Sequence, residues 1–181
     1  MMLIPSPEIY ISVDIETTGP IPGVYDLISI GACVVGKPED NFSCLVKPQG
    51  GLVEDEALAV TGLNIDYLNE NGRNIILAME LFSNWLERNE FKQKNLVFVG
   101  FNAAFDWSFI NYAFIKYIGR NPFGFTALDI KSYYMGRFRT LWHETKSSRI
   151  DVKLKTKNMK THDALQDAIY QSEIFSIISK K

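Results

Sequence analysis

A chain of 181 residues, 46% hydrophobic and 13% aromatic, is the length of one domain, residues 1–181, with ample material for a core. Its formal net charge of −2 argues against a general nucleic-acid coat protein. No apolar run approaches the roughly 20 residues of a membrane helix, and Met1–Glu8 lacks the basic start and apolar stretch of a signal peptide, so a cytoplasmic protein without membrane contact is expected.

Residues 9–16 alternate: Ile11, Val13 and Ile15 interleave with Ser12, Asp14 and Glu16, the period of a strand with one buried face. Gly19-Pro20-Ile21-Pro22-Gly23 ends it. Residues 26–35 and 42–48 read as two further strands around a turn at 37–41, so the first three strands form an antiparallel meander. Cys33 and Cys44 fall in these strands and read as buried thiols in a reducing compartment.

The period then changes. Residues 54–61 suggest a short helix, and 74–88 a longer one whose stripe Ile76, Leu77, Leu81, Trp85 and Leu86 would face the core. The continuous apolar run 96–101 reads as a buried strand parallel to the first. A helix over 103–118, a short strand at 125–129 and another helix follow. Residues 141–161 show no clean period and read as a long loop. The chain closes with a helix over 163–178, where Asp163 and Gln166 offer a capping box. Strands followed by alternating helices and strands predict an α/β fold, whose ligands sit beyond the carboxyl ends of the strands.

Asp14 and Glu16 lie at such an end. Alternate strand residues are about 6.6 Å apart and share a face. Two carboxylates there repel unless a cation lies between them, and oxygen-only ligation suits Mg²⁺. Asp106 falls in the opening turn of the helix after the buried strand, and reaches the same end of the sheet if that strand neighbours the first. Phe101, Phe105 and Trp107 serve either a core or base stacking. His162 stands just ahead of the last helix and Asp167 in its second turn, and histidine is a natural general base near neutral pH. Charge is unevenly placed: residues 131–160 hold nine lysines and arginines against Glu144 and Asp151, a segment of +7 in a chain whose remainder carries −9. That segment is either an edge facing a polyanion or a solvated loop.

Three blocks in order, Asp14-Ile15-Glu16-Thr17-Thr18-Gly19, Asn102 to Asp106, and His162 to Asp167, resemble the motifs of the DEDDh (DnaQ-like) group of 3′–5′ exonucleases. The resemblance covers nearly the whole chain. It implies a ribonuclease-H-like mixed five-stranded sheet, three antiparallel strands then parallel ones, flanked by helices. It implies that Asp14, Glu16, Asp106 and Asp167 hold two Mg²⁺ (or Mn²⁺) ions. His162 would help one ion prepare the attacking water, and the second ion would steady the departing 3′ oxygen. Thr17, Asn102 and Phe105 would touch the terminal nucleotide. The partners implied are 3′ ends of single-stranded DNA or RNA, cut to nucleoside 5′-monophosphates; dimeric relatives leave a homodimer open. Many members carry His-Gly-Ile in the early helix, where this chain has Thr61-Gly62-Leu63. The basic segment 141–161 would close over substrate as a mobile loop. The competing reading is an inactive nucleic-acid-binding module of the same fold, which would be expected to have lost at least one of the five residues.

Overall fold

The computed structural model describes residues 7–180. Met1–Ser6, most of the stretch read for a signal peptide, and Lys181 lie outside them. No helix among the described residues is long and apolar enough to cross a membrane.

A five-stranded sheet runs through the molecule in the order β3-β2-β1-β4-β5. The strands are β1 (Glu8–Thr17), β2 (Leu27–Val34), β3 (Lys37–Leu45), β4 (Asn95–Gly100) and β5 (Ala127–Asp129). As expected, β1, β2 and β3 pair antiparallel, while β4 runs parallel to β1 and β5 parallel to β4. A register shift between Glu16 and Thr17 interrupts the β1–β2 ladder at the acidic end, one pair before it closes at Thr17 and Leu27.

The period-2 pattern assigns the faces. Ile11, Val13 and Ile15 join the larger core cluster with Phe98, and α3 (Ile75–Leu86) and α4 (Ala104–Ala113) pack there. The opposite face carries Val99, Tyr134, Ile174, Phe175 and Ile178 under α5 (Ile130–Phe138) and α7 (Ala164–Ser179). Two short helices, α1 (Asp55–Thr61) and α2 (Ile65–Asn71), precede α3. Cys33 and Cys44 are both buried and free.

Three expectations need correction. The turn expected at 37–41 belongs to β3, and the hairpin turns at Val35-Gly36, where Gly36 takes φ 83°. The buried stripe of α3 is Ile75, Ala78, Met79, Phe82, Ser83 and Leu86, whereas Ile76, Leu77 and Leu81 are exposed. This helix carries apolar residues on more than one face, and the ring of Phe82 decides between them by stacking on Phe42, Trp85 and Phe114. Residues 141–161 are not a structureless loop. A 3₁₀ turn at Trp142–Thr145 leads into α6 (Ser147–Leu154). Its Ile150 is fully buried in the second cluster, and the Tyr170 hydroxyl donates to Asp151 at 2.6 Å. A segment tied down in this way gives the mobile-loop expectation no footing.

Candidate active site

The carboxyl end of β1 gathers the acids. Asp14 and Glu16 project from the same strand face, and Asp14 is buried. That face can accept α7 at close range because the residue paired with Asp14 on β2 is Gly31. A β-carbon there would lie 2.1 Å from the carbonyl carbon of Ala164. The first turn of α7, capped by Asp163 accepting from the Gln166 N–H at 3.0 Å, therefore settles directly on the sheet.

Asp167 follows in that turn, almost wholly buried. One of its oxygens accepts the Thr161 N–H at 2.6 Å and the other the His162 N–H at 3.1 Å. His162 takes a left-handed backbone, φ 60°, which lets successive N–H groups converge on one carboxylate. Glu16, His162 and Asp167 each present a possible ligand atom, all within 4.8 Å of one another. Asp106 arrives in the first turn of α4, with its Oδ1 accepting the Ile15 N–H at 3.2 Å.

Asp14, Glu16, Asp106 and His162 share the lining of one groove of ≈520 Å³. Thr17, Asn102 and Phe105 line it too, with Ala57 and Val60 of α1 as a wall. The Asn102 turn, φ 67°, is held by the Ala103 N–H donating to Asp129 at 2.9 Å. The neighbouring threonine, Thr18, has a scaffold position: its backbone oxygen accepts the Glu54 N–H at 2.8 Å and its hydroxyl donates to Leu52 O at 2.7 Å, bringing the start of α1 to the groove. His143 stays outside, paired with Glu144 at the surface.

Sequence reasoning missed three participants. Gln171 donates its side-chain amide to Asp14 and accepts the Phe101 N–H at 2.8 Å, tying α7 to both β1 and the end of β4. Nothing local in the sequence marks it, since Gln171 is followed by Ser172 and Glu173 in a mixed stretch of the last helix. Lys160, last of the lysine-rich run, lines the groove beside the acids. Asp129 ends β5, holds Ala103, and caps α5 through the Ser132 N–H at 2.7 Å.

The electrostatics are those of a cation site. Burial, then the charges of Asp106, Glu16 and Asp167, lift the Asp14 carboxyl well above the usual range, with Lys160 opposing. Burial and Asp167 push Glu16 up to about 8. Burial also raises Asp106, against the hydrogen bond from Ile15. Buried carboxylates at this density need compensation, and one lysine is not enough. Their hard oxygen donors fit a divalent ion such as Mg²⁺ or Mn²⁺.

An exonuclease family model, RNase_T, matches residues 11–175. The chain is 49% identical over 173 residues to the 3′-5′ DNA exonuclease Cap18 of Escherichia coli, spanning 96% of this chain and 92% of that protein. It is 28% identical over 155 residues to the PolC-type DNA polymerase III of Bacillus subtilis strain 168, spanning 82% of this chain but 10% of the polymerase. Among solved structures, the nuclease domain of 3′hExo, a DEDDh family member bound to rAMP, shares the fold at a TM-score of 0.76 and 16% identity, over 93% of this chain and 90% of that one. Exonuclease I does so at a TM-score of 0.73 and 14% identity, over 94% of this chain and 40% of that one.

Proposed function

Since this chain belongs to the RNase_T exonuclease family and is a 3′–5′ exonuclease of the DEDDh type, we propose that it hydrolyses the 3′-terminal phosphodiester of single-stranded DNA, releasing nucleoside 5′-monophosphates, with residues 1–181 acting as one catalytic domain. DNA is favoured over RNA by the 49% identity to a DNA exonuclease. The observation that carries the reading is the convergence of Asp14, Glu16, Asp106 and His162 on one groove, with Asp167 in reach of His162.

Asp14, Glu16, Asp106 and Asp167 would hold two Mg²⁺ or Mn²⁺ ions, which when bound supply an acidified water and neutralise charge on the phosphate. The chain's own side chains do the rest. The His162 backbone is tied to Asp167, while its ring faces the groove and accepts the proton of the attacking water. Water adds to phosphorus, the bond to the 3′ oxygen breaks, and that oxygen takes up a proton from solvent to become the new 3′ hydroxyl. Thr17, Asn102 and Phe105 contact the terminal nucleoside, and Lys160 meets its phosphate. The Thr17 hydroxyl donates to Gly19 O at 2.8 Å, which keeps its rotamer fixed at the groove wall.

The test uses 5′-labelled single-stranded DNA and RNA of equal sequence, each with Mg²⁺, Mn²⁺ or excess EDTA, beside a His162→Ala control. A metal-dependent ladder shortening from the 3′ end, faster on DNA and lost in the control, is the expected result. A faster RNA ladder would overturn the substrate assignment, and binding without any ladder would leave an inactive binding module.

A further inference from the structure

We propose that the strand on the 5′ side of the scissile bond leaves the groove over Trp142 and runs along one face of α5, held by two cation–aromatic pairs. The proposal rests on the exonuclease reading above and deepens it. Lys131, Tyr134 and Phe138 sit at i, i+3 and i+7 on α5, so they share a face. Lys131 lines the catalytic groove together with Phe101. Its ammonium lies 4.2 Å from the Trp142 ring centroid and 6.0 Å from that of Phe101. Further along, the Lys153 ammonium of α6 lies 4.3 Å from the ring centroid of Phe138, which is 37% exposed, and 5.3 Å from that of the buried Tyr134. A second groove of ≈390 Å³, lined by Tyr134, Thr140, Ser148, Lys153 and the Glu144–Arg149 ion pair among others, opens beside this pair.

The chemistry of this face suits an unpaired polyanion. Trp142 is 51% exposed, an unusual setting for the largest apolar side chain. A lysine resting on an indole is matched to a nucleotide, whose phosphate takes the ammonium while its base takes the ring. Seven residues of helix separate Lys131 from Phe138, a span of roughly 10 Å, so the two pairs contact different nucleotides of an extended strand. The surrounding segment 131–160 carries +7 in a chain of −2, and Lys131 and Lys153 on this path belong to it, as does Lys160 in the groove. A base within a duplex has both faces covered by its neighbours, so Trp142 also selects for unpaired strands.

The experiment compares wild type, Trp142→Ala, Trp142→Phe and Lys153→Ala on two substrates: a single-stranded dodecamer, and the 4-nitrophenyl ester of thymidine 5′-monophosphate, which reaches only the terminal site. Trp142→Ala should raise KM for the dodecamer about 5- to 160-fold, the range that base–aromatic stacking supplies. The ratio of kcat/KM for dodecamer over ester should fall by the same factor, with Trp142→Phe recovering most of it and Lys153→Ala showing a smaller loss. An unchanged ratio in Trp142→Ala overturns the proposal. So does an equal fall on both substrates, because Trp142 would then act only by supporting the fold. A wild-type protein that turns over neither substrate overturns the exonuclease reading itself.

Discussion

Gly31 lies directly beneath the backbone of Ala164, with no room for a β-carbon between them. This contact sets the height of α7 above β2, and through it the distance between Asp167 on the helix and Asp14 on the strand that pairs with Gly31. Gly31→Ala should push the first turn of α7 outward, since the obstructing atoms are backbone. A displacement near 1 Å at a catalytic constellation costs on the order of 100-fold in kcat, and overpacking should cost about 1–3 kcal/mol of stability. Gly136→Ala, on α5 where a β-carbon meets nothing within 4 Å, is the control and should leave stability equal or higher. Thermal melts and kcat for the two variants decide it; a Gly31→Ala enzyme with full kcat would show that α7 does not set the site.

Gln171 is the second device that fixes this geometry. Its amide serves Asp14 with one end and the Phe101 N–H with the other. Gln171→Leu keeps the volume and removes both bonds, leaving a buried N–H and a carboxylate oxygen short of partners. The expected loss is about 1–3 kcal/mol, with a fall in kcat that excess metal does not restore. Restoration at high metal would mean that Gln171 only assists cation binding.

These two contacts mark the limit of what was legible in the sequence. Asp14, Glu16, Asp106, His162 and Asp167 stand in short local patterns, each attached to a recognisable strand end or helix start, so their convergence could be read from the order of elements. Gly31 and Gln171 act across the sheet–helix interface, and nothing local to either residue distinguishes them. The same holds for α6: the helix is eight residues long with Ile150 as its one buried residue, and its apolar positions Ile150, Val152 and Leu154 alternate instead of following a helical period. Its order comes from Tyr170, which is distant in sequence. The α3 stripe was misread for the opposite reason, since its apolar residues fit more than one face and only the neighbouring rings choose.

The raised carboxyls make a claim about stability and pH. Glu16 titrates at about 8 in the fold, above the ordinary value of 4.5, so the folded protein without metal holds protons that the unfolded chain releases. Stability from this source is full below pH ~4.5 and is lost as pH rises through about 8. Asp14 and Asp106 are shifted the same way. In EDTA, Tm should therefore fall between pH 5 and pH 9. Excess Mg²⁺ or Mn²⁺ should flatten that fall, so the metal-induced rise in Tm grows with pH. A Tm in EDTA that climbs over this interval would mean that the acids are already ionised without a cation.

Lys160 is placed to act on phosphate as well as on the acids. If it neutralises one phosphate of a bound single strand, Lys160→Gln should reduce the slope of log KM against log salt by about 0.7. An unchanged slope with a raised metal requirement would confine Lys160 to balancing the carboxylates.

Asp167 and His162 should behave as one unit. The Asp167 carboxylate accepts the Thr161 and His162 N–H groups on different oxygens, so it carries the backbone on which the imidazole stands. Asn at 167 keeps one acceptor and turns the other into a donor, which opposes an N–H. Asp167→Asn should therefore misplace His162 as well as weaken metal binding. His162→Ala alone should cost roughly 10²–10⁴-fold in kcat, the range of general-base catalysis. If the imidazole is already out of position in Asp167→Asn, adding His162→Ala should cost little more, a large departure from additivity. Two losses that multiply fully would mean that the histidine is positioned without help from Asp167. Trypsin supplies an independent readout, since the bonds after Lys157 and Lys160 should be cut faster in Asp167→Asn than in His162→Ala if the carboxylate holds that segment in place.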